Sequence, residues 1–291
     1  MLEELISFIV QLPSHDGISK YVNTFLLKKN VIISESVLLN LHTVLYIILF
    51  YHAVFLLSIK MFFIPIIKTR NGKCDKRLLG QCGMRVASTL QTLIVLYLSF
   101  NSILNRKNDD SVTDPQSRVF YEDRNTQVIC LYALGYFIWD TIASYRYSSA
   151  LFVLHGFVSA WGYYIGLKPY IQYYAPIFLI FEISNPFLNI RWFGRFFFPE
   201  WKNLLLVNDL LFIATFFMGR ILWGWYQVTL LCIDLWQVRH LDKFNVFDTW
   251  FMILIQLSIG TLNISWFCKM CLKAQQILTR SRTFHKSITS P

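Results

Sequence analysis

The sequence predicts an all-α integral membrane protein, with about seven transmembrane helices forming a bundle around a cytosol-facing polar cavity. Three observations carry that prediction. The first is composition: of 291 residues, 55% are hydrophobic and 15% charged, whereas a soluble domain is about 45–50% apolar and about 25% charged. The second is length. The apolar residues come in blocks near the ~20 residues that cross a bilayer. The third is where the charges lie. The formal net charge is +10, from 27 Lys and Arg against 17 Asp and Glu, and the basic residues fall between the blocks, as the positive-inside rule describes. That placement argues against nucleic acid as a partner.

Residues 1–36 read as an amino-terminal segment. LEELISFIV has the pattern of a short interfacial amphipathic helix, and SHDGISKYVN that of a loop. The start has no basic run, short apolar core and small-residue site in succession, so no cleavable signal is expected. Spans follow at 37–59, 83–104, 126–147, 149–167, 170–190, 204–226 and 245–271. Residues 37–275 thus form one membrane domain, and 276–291 a basic tail.

The loops set the orientation. Lys60, Lys68, Arg70, Lys73, Lys76 and Arg77 follow the first span, with Asp75 the single acid among them. Arg146, then Arg191, Arg195 and Lys202, then Lys273, Arg280, Arg282 and Lys286 fall on the same side. That side is expected to be cytosolic, the amino terminus luminal and the carboxyl terminus cytosolic. On the other side Arg106, Lys107, Arg118 and Arg124 are balanced by Asp109, Asp110, Asp114, Glu122 and Asp123. Lys28 and Lys29 weigh the other way, more weakly. Six cysteines are scattered, at 74, 82, 130, 232, 268 and 271. Cys268 and Cys271 are spaced like half a metal site, but no second pair or nearby His completes it. No metal is expected.

With the orientation set, depth follows from helix rise. Asp140 lies ~10 Å, His155 ~9 Å and Glu182 ~12 Å from the cytosolic end of their spans. His52, Gln91 and Asn263 come out at ~10–14 Å. Polar residues also align on helix faces: Glu182, Asn185 and Asn189; Asp140, Ser144 and Tyr147; Arg85, Ser88 and Thr92; Gln256, Gly260 and Asn263. Singly, such amides and hydroxyls bridge helices for ~0.6–2 kcal/mol each. Ionisable groups at one depth are different, because residues of that kind inside spans mark function. Asp140, His155 and Glu182 are therefore the candidate catalytic residues. A histidine paired with either carboxylate can serve as acid and base. Arg85, Ser88, Gln91, Asn185, Asn189, Arg191 and Asn263 are the candidates for holding a lipid or an acyl-CoA. Pro186 removes a backbone donor, which suits a helix bent around a cavity. Arg220, deep in the sixth span, calls for a carboxylate or carbonyl partner; Asp209 shares its face about three turns away.

Six stretches, in order, resemble one family. They are RVASTLQTL at 85–93, GYFIWD at 135–140, LHGFVSAWGYY at 154–164, FEISNPFLNIRWF at 181–193, VNDLLFIATFFMGRI at 207–221 and LNISWFCKM at 262–270. Together they resemble the TLC domain shared by TRAM, the ceramide synthases and CLN8-like proteins, closest to the small TLC domain-containing protein 4 type branch. The resemblance implies an endoplasmic reticulum membrane protein. It also implies ceramide-synthase positions for comparison. His155 matches the first of a paired His, with Gly156 at the second. Glu182 stands for one carboxylate of the following span and Asn185 for the other. Gln91 stands where the small-protein branch usually carries His.

Two functions follow from the resemblance, and a weaker third. One is membrane lipid homeostasis through a lipid-binding intramembrane cavity, with membrane lipids as partners and no cofactor. The alternative is an N-acyltransferase that takes a fatty acyl-CoA as substrate and joins its acyl group to a sphingoid base. The third is traffic between endoplasmic reticulum and Golgi. Homo-oligomerisation is left open.

Overall fold

In lipid every backbone N–H and C=O must find its partner within the chain, so apolar blocks of this length become helices. The computed structural model describes residues 2–17, 35–71, 75–106 and 112–289, with side chains at 2–17, 37–67, 75–106 and 112–276. Lys28, Lys29, Lys73, Cys74, Lys107, Asp109 and Asp110 lie outside the described residues, as do the side chains of Lys68, Arg70, Arg280, Arg282 and Lys286.

The helices, in chain order, are α1 (Leu2–Gln11), α2 (Leu41–Ile67), α3 (Lys76–Arg106), α4 (Pro115–Val119), α5 (Arg124–Tyr147), α6 (Ala150–Gly166), α7 (Asn185–Phe197), α8 (Lys202–Val238) and α9 (Val246–Gln276). No strand occurs among the described residues. Five helices, α2, α3, α5, α8 and α9, are long and apolar enough to cross a membrane, and α6 is a shorter apolar helix. Their outward faces carry exposed Leu49, Leu57, Leu93, Phe100, Leu210 and Met218. A continuous apolar exterior of that kind belongs against lipid rather than water.

The segment expected to span at 170–190 is not one α-helix. It runs as a 3-10 turn (Gln172–Tyr174), an α-turn (Ala175–Leu179), a 3-10 run (Ile180–Ser184) and then α7. Two prolines account for the breaks. Pro176 and Pro186 each sit in the first turn of an α-helical piece. There a missing N–H costs nothing, whereas inside a helix it would remove a bond and clash with the carbonyl four residues back. For Pro186 that carbonyl belongs to Glu182. Because 3-10 helix rises ~2.0 Å per residue against ~1.5 Å for α, depth counted along this segment as pure α-helix is compressed.

Other boundaries moved outward. The first span continues to Ile67, so Lys60 is helical rather than in a loop. The sixth runs on to Val238 and contains a π-turn, Phe217–Trp223. Helix α9 continues as helix to Thr289, through the segment read as a tail. The expected short amphipathic helix is present as α1, and it is docked on the bundle: Ile6 and Ile9 are buried, and Tyr132 donates to the Ile6 carbonyl. His52 is exposed and stacks on Phe55 of its own helix, so it leaves the interior layer.

Helix α5 supplies the centre of the core, with Ile129, Cys130, Tyr132 and Ala133 buried among α2, α3 and α6. Close packing of α5 on α6 depends on a glycine. A Cβ placed on Gly156 would lie 2.6 Å from Thr141 Oγ1 and 3.2 Å from the Thr141 N. One end of the bundle is tied by charged clamps. Arg118 donates through Nε and Nη2 to the two oxygens of Asp234, each at 2.6 Å, and Tyr174 donates to the same carboxylate at 2.5 Å. Lys168 Nζ reaches both oxygens of Asp248, at 2.8 and 2.9 Å.

Candidate functional site

Towards the other end, α3, α5, α6, α7, α8 and α9 enclose a hollow of about 590 Å³. Asp140, His155, Glu182, Asn185, Asn189, Ser88, Arg85 and Arg191 all line it. The three ionisable candidates, chosen by chemistry, depth and helix face, therefore meet at one space although they come from three separate segments. They do not touch as a catalytic pair would. Among the described residues neither carboxylate hydrogen-bonds His155. His155 Nδ1 is buried without a hydrogen-bond partner, and its ring sits edge-on between Phe137 and Trp266 at 5.9 and 5.7 Å.

Glu182 is held from three sides. Thr92 Oγ1 approaches at 3.4 Å, Asn185 Nδ2 donates to the same oxygen, and the Arg220 Nη2 stands 3.7 Å from the other oxygen. Asn185 works as a bridge, because its Oδ1 accepts from Arg220 Nη2 at 2.8 Å while its Nδ2 serves Glu182. A second carboxylate at 185 would face Glu182 as a like charge. An amide there matches both neighbours. Helix α8 comes close enough because Gly219 carries no side chain: a Cβ there would be 3.3 Å from Ile183 Cγ2. Arg220 needs a carboxylate partner, as its sequence position suggests, but that partner is Glu182. Asp209 pairs instead with Arg195 at 2.5 Å and Arg191 at 3.5 Å.

Arg85, a candidate for holding the ligand, is already committed. Arg85 Nη1 donates to Asn189 Oδ1 at 3.1 Å, and its guanidinium lies 4.7 Å over the Trp192 ring. Asn189 also donates to Thr89 at 2.9 Å, which locks α7 to α3. Arg77, Lys269 and Lys273 line the hollow as well. Two candidates lie off its wall. Gln91 is fully buried and accepts from the Tyr51 hydroxyl, between α2 and α3. Asn263 is buried, accepts from Arg220 Nη1 at 3.4 Å and lines a small cleft between α8 and α9.

Sequence reasoning missed a second chamber. Behind the hollow lies an apolar pocket of about 60 Å³, lined by Tyr163, Phe178, Leu179, Met252 and Ile255 among others. Phe137, His155, Glu182 and Arg220 border both spaces. The lining comes from the broken segment, α6 and α9, so no single stretch of sequence reveals it. Its one sequence trace is the run of bulky residues at 177–181, directly before Glu182.

The fold and this site define an integral membrane protein whose polar residues turn inward. The chain belongs to the TLC domain family: the TLC domain model matches residues 81–272. It is 39% identical to an uncharacterized TLC domain-containing protein of Saccharomyces cerevisiae, over 96% of this chain and 97% of that one. It is 33% identical to Topoisomerase I damage affected protein 4 of the same yeast, over 55% of this chain and 59% of the relative. TLC domain-containing protein 4 of Homo sapiens is 33% identical over 31% of this chain and 36% of its own. No solved structure matches the chain with significance.

Proposed function

We propose that this chain is a multi-pass endoplasmic reticulum protein that holds a membrane lipid in the hollow and acts in membrane lipid homeostasis. The observation that carries the reading is the pair of spaces. A chamber with basic side chains on its wall suits a headgroup, and the small apolar pocket behind His155, Glu182 and Arg220 suits a short length of hydrocarbon. Lipid ligands combine these two chemistries, and mostly apolar concave sites with a few convergent polar groups are typical of small-molecule binding. On this reading the broken segment and α6 complete seven crossings. The end carrying Arg77, Lys269 and Lys273 is cytosolic, by the positive-inside rule.

Lipid extraction from the purified protein tests this. A defined lipid should copurify in fixed ratio with the chain, and Ser144→Trp, which fills the wall of the hollow, should lower that ratio several-fold. A wild-type preparation carrying no lipid beyond its detergent control would end the reading.

One observation favours a second reading, N-acyl transfer from a fatty acyl-CoA. His155 presents an unpartnered buried nitrogen at the edge of both spaces, and a general base needs a free ring nitrogen near its proton. The tight contact of Gly156 on Thr141 leaves no room for a second His beside it. Transfer of labelled acyl groups to a sphingoid base, abolished by His155→Ala, would establish this reading. Absence of transfer with lipid still bound would leave the first.

A further inference from the structure

One buried cation in this site has more hydrogen-bonding capacity than its neighbours use. Arg220 lies in the middle of the π-turn Phe217–Trp223 and is 5% exposed. Single-turn π-bulges inside helices recur at functional sites. Its side chain borders the hollow, the inner pocket and the small cleft between α8 and α9. A guanidinium carries five N–H donors in a fixed fork and stays charged in proteins. Nε donates to Ser184 at 3.1 Å, Nη1 to Asn263 at 3.4 Å and Nη2 to Asn185 at 2.8 Å. Each terminal nitrogen keeps one N–H without a hydrogen bond to a described residue.

Glu182 does not use that capacity. Its Oε1 stands 3.7 Å from Nη2, too far for a hydrogen bond. Its other oxygen is served by neutral donors, Thr92 and Asn185. A purely structural pair in this same molecule looks different: Arg118 closes on Asp234 at 2.6 Å.

We infer that Arg220 binds the anionic group of the lipid, a carboxylate or a phosphate, through its two remaining N–H groups. The assignment rests on the hollow being a lipid site. Two N–H groups on adjacent nitrogens match two oxygens of one oxyanion, the bidentate geometry for which arginine is suited and lysine is not. The first few methylenes of the hydrocarbon chain then pass His155 into the apolar pocket of about 60 Å³. Arg77, Lys269 and Lys273 on the wall of the hollow speed the approach of anions, an effect on association rate rather than on the equilibrium preference.

The test compares acids with neutral lipids of the same chain, on the full-length protein in nanodiscs. Labelled oleate is set against oleyl alcohol, and oleoyl lysophosphatidate against monooleoylglycerol. Wild type should prefer at least one acid by roughly tenfold or more, the worth of a buried charge-assisted hydrogen bond. Which acid wins identifies the oxyanion as carboxylate or phosphate. Competition by acetate or inorganic phosphate alone, equal to that of the lipids, would assign Arg220 to a free anion and overturn the lipid assignment. Arg220→Gln should lose the preference while still binding the alcohol or monoacylglycerol, and Arg220→Lys should restore it only in part. Because Arg220→Gln leaves Glu182 without its counter-charge, Arg220→Gln/Glu182→Gln is measured beside it. The double variant removes both charges and should fold, and it too should bind acid and neutral lipid alike. Equal binding of acid and neutral lipid by wild type, or a preference kept by the double variant, overturns the assignment to Arg220 alone. No binding of any chain overturns the lipid site as well.

Discussion

The two ends of the bundle use charge in opposite ways. At one end the ion pairs are closed, although Arg106 Nε at that end is buried without a hydrogen-bond partner among the described residues. Arg118 and Asp234 share two bonds of 2.6 Å with Tyr174 as a third member, and Lys168 meets both oxygens of Asp248. These pairs tie α4 to α8, and the turn after α6 to the start of α9. At the other end Arg195 and Asp209 also close at 2.5 Å, but the charges deepest in the hollow are left partly unmet. Arg220 and Glu182 approach only to 3.7 Å, and His155 Nδ1 has no partner. Buried polar groups are ordinarily satisfied, so the exceptions call for an explanation. The saturated end is explained by architecture. The unmet groups at the hollow are the ones that the proposed lipid would satisfy. Charge in a membrane domain is therefore not evidence of function until its satisfaction has been examined.

The largest expected effect comes from breaking the saturated end. Asp234→Ala leaves Arg118 without its partner and the Tyr174 hydroxyl without its acceptor. Removing one member of a buried pair costs ~3–5 kcal/mol. Arg118 keeps 24% side-chain exposure, so water recovers part of this and the lower figure is expected. Thermal unfolding in detergent should report the loss. Binding of neutral lipid at the far hollow should be unchanged in the folded fraction. A destabilisation near zero would show that the clamp is not what joins α4 to α8.

The same contrast decides what was legible in the sequence. Five of the spans were visible because lipid thickness fixes block length. Asp140 and His155 were placed near one depth by the constant rise of an α-helix, whereas Glu182 reaches the same space on 3-10 backbone, where that rise does not hold. Block length and helix rise are one-dimensional properties. Arg118 and Asp234, 116 residues apart, were not paired by any such count. Arg118 was read as a loop charge and Asp234 was not singled out, since the pairing is set by how a loop folds over. Glu182 and Arg220 were found separately and not joined, because the π-turn and the 3-10 run shift both helices off the ideal period. The π-turn has no strong local signal. The proline breaks did have one, at Pro176 and Pro186, but only Pro186 was read, and as a bend rather than as a change of helix type.

A smaller effect tests the packing that frames the unsaturated end. Gly156→Ala places a methyl 2.6 Å from Thr141 Oγ1 and 3.3 Å from Asp140 Oδ2. Thr141 is tied to the Phe137 carbonyl at 2.6 Å and the backbone N beside it is fixed, so little can yield. Overpacking of this kind costs ~1–3 kcal/mol. Separation of α5 from α6 should also shift Asp140 away from His155 and weaken lipid retention. Thermal unfolding and copurified lipid, measured on one preparation, should fall together. Unchanged stability would mean that the two helices can part freely, and the tight Gly156 contact would lose its explanatory role.

The smallest effect lies at a fully solvated cap beside the saturated end, and it carries a pH sign. Asp114 opens α4 with a capping box: its carboxylate accepts from the Ser117 N–H at 2.9 Å, and the Ser117 hydroxyl reaches back to the Asp114 N–H. The Ser117 N–H is the chief reason that the Asp114 carboxyl is held below its ordinary value. A depressed carboxyl stabilises the fold fully above the unfolded pKa of about 4, and that contribution disappears as pH falls through the lower folded value. Amide exchange at Ser117 should therefore be constant from pH 7 down to the ordinary carboxylate range and lose protection below it, after correction for intrinsic rates. The fraying should stay local in wild type, because Arg118 still fastens the helix to Asp234. In Asp234→Ala the same acid step should spread to Val119 and to the bond that the Ile171 N–H makes to its carbonyl at 2.6 Å. If acid releases those amides equally in wild type and variant, the clamp and the cap are not holding the same helix.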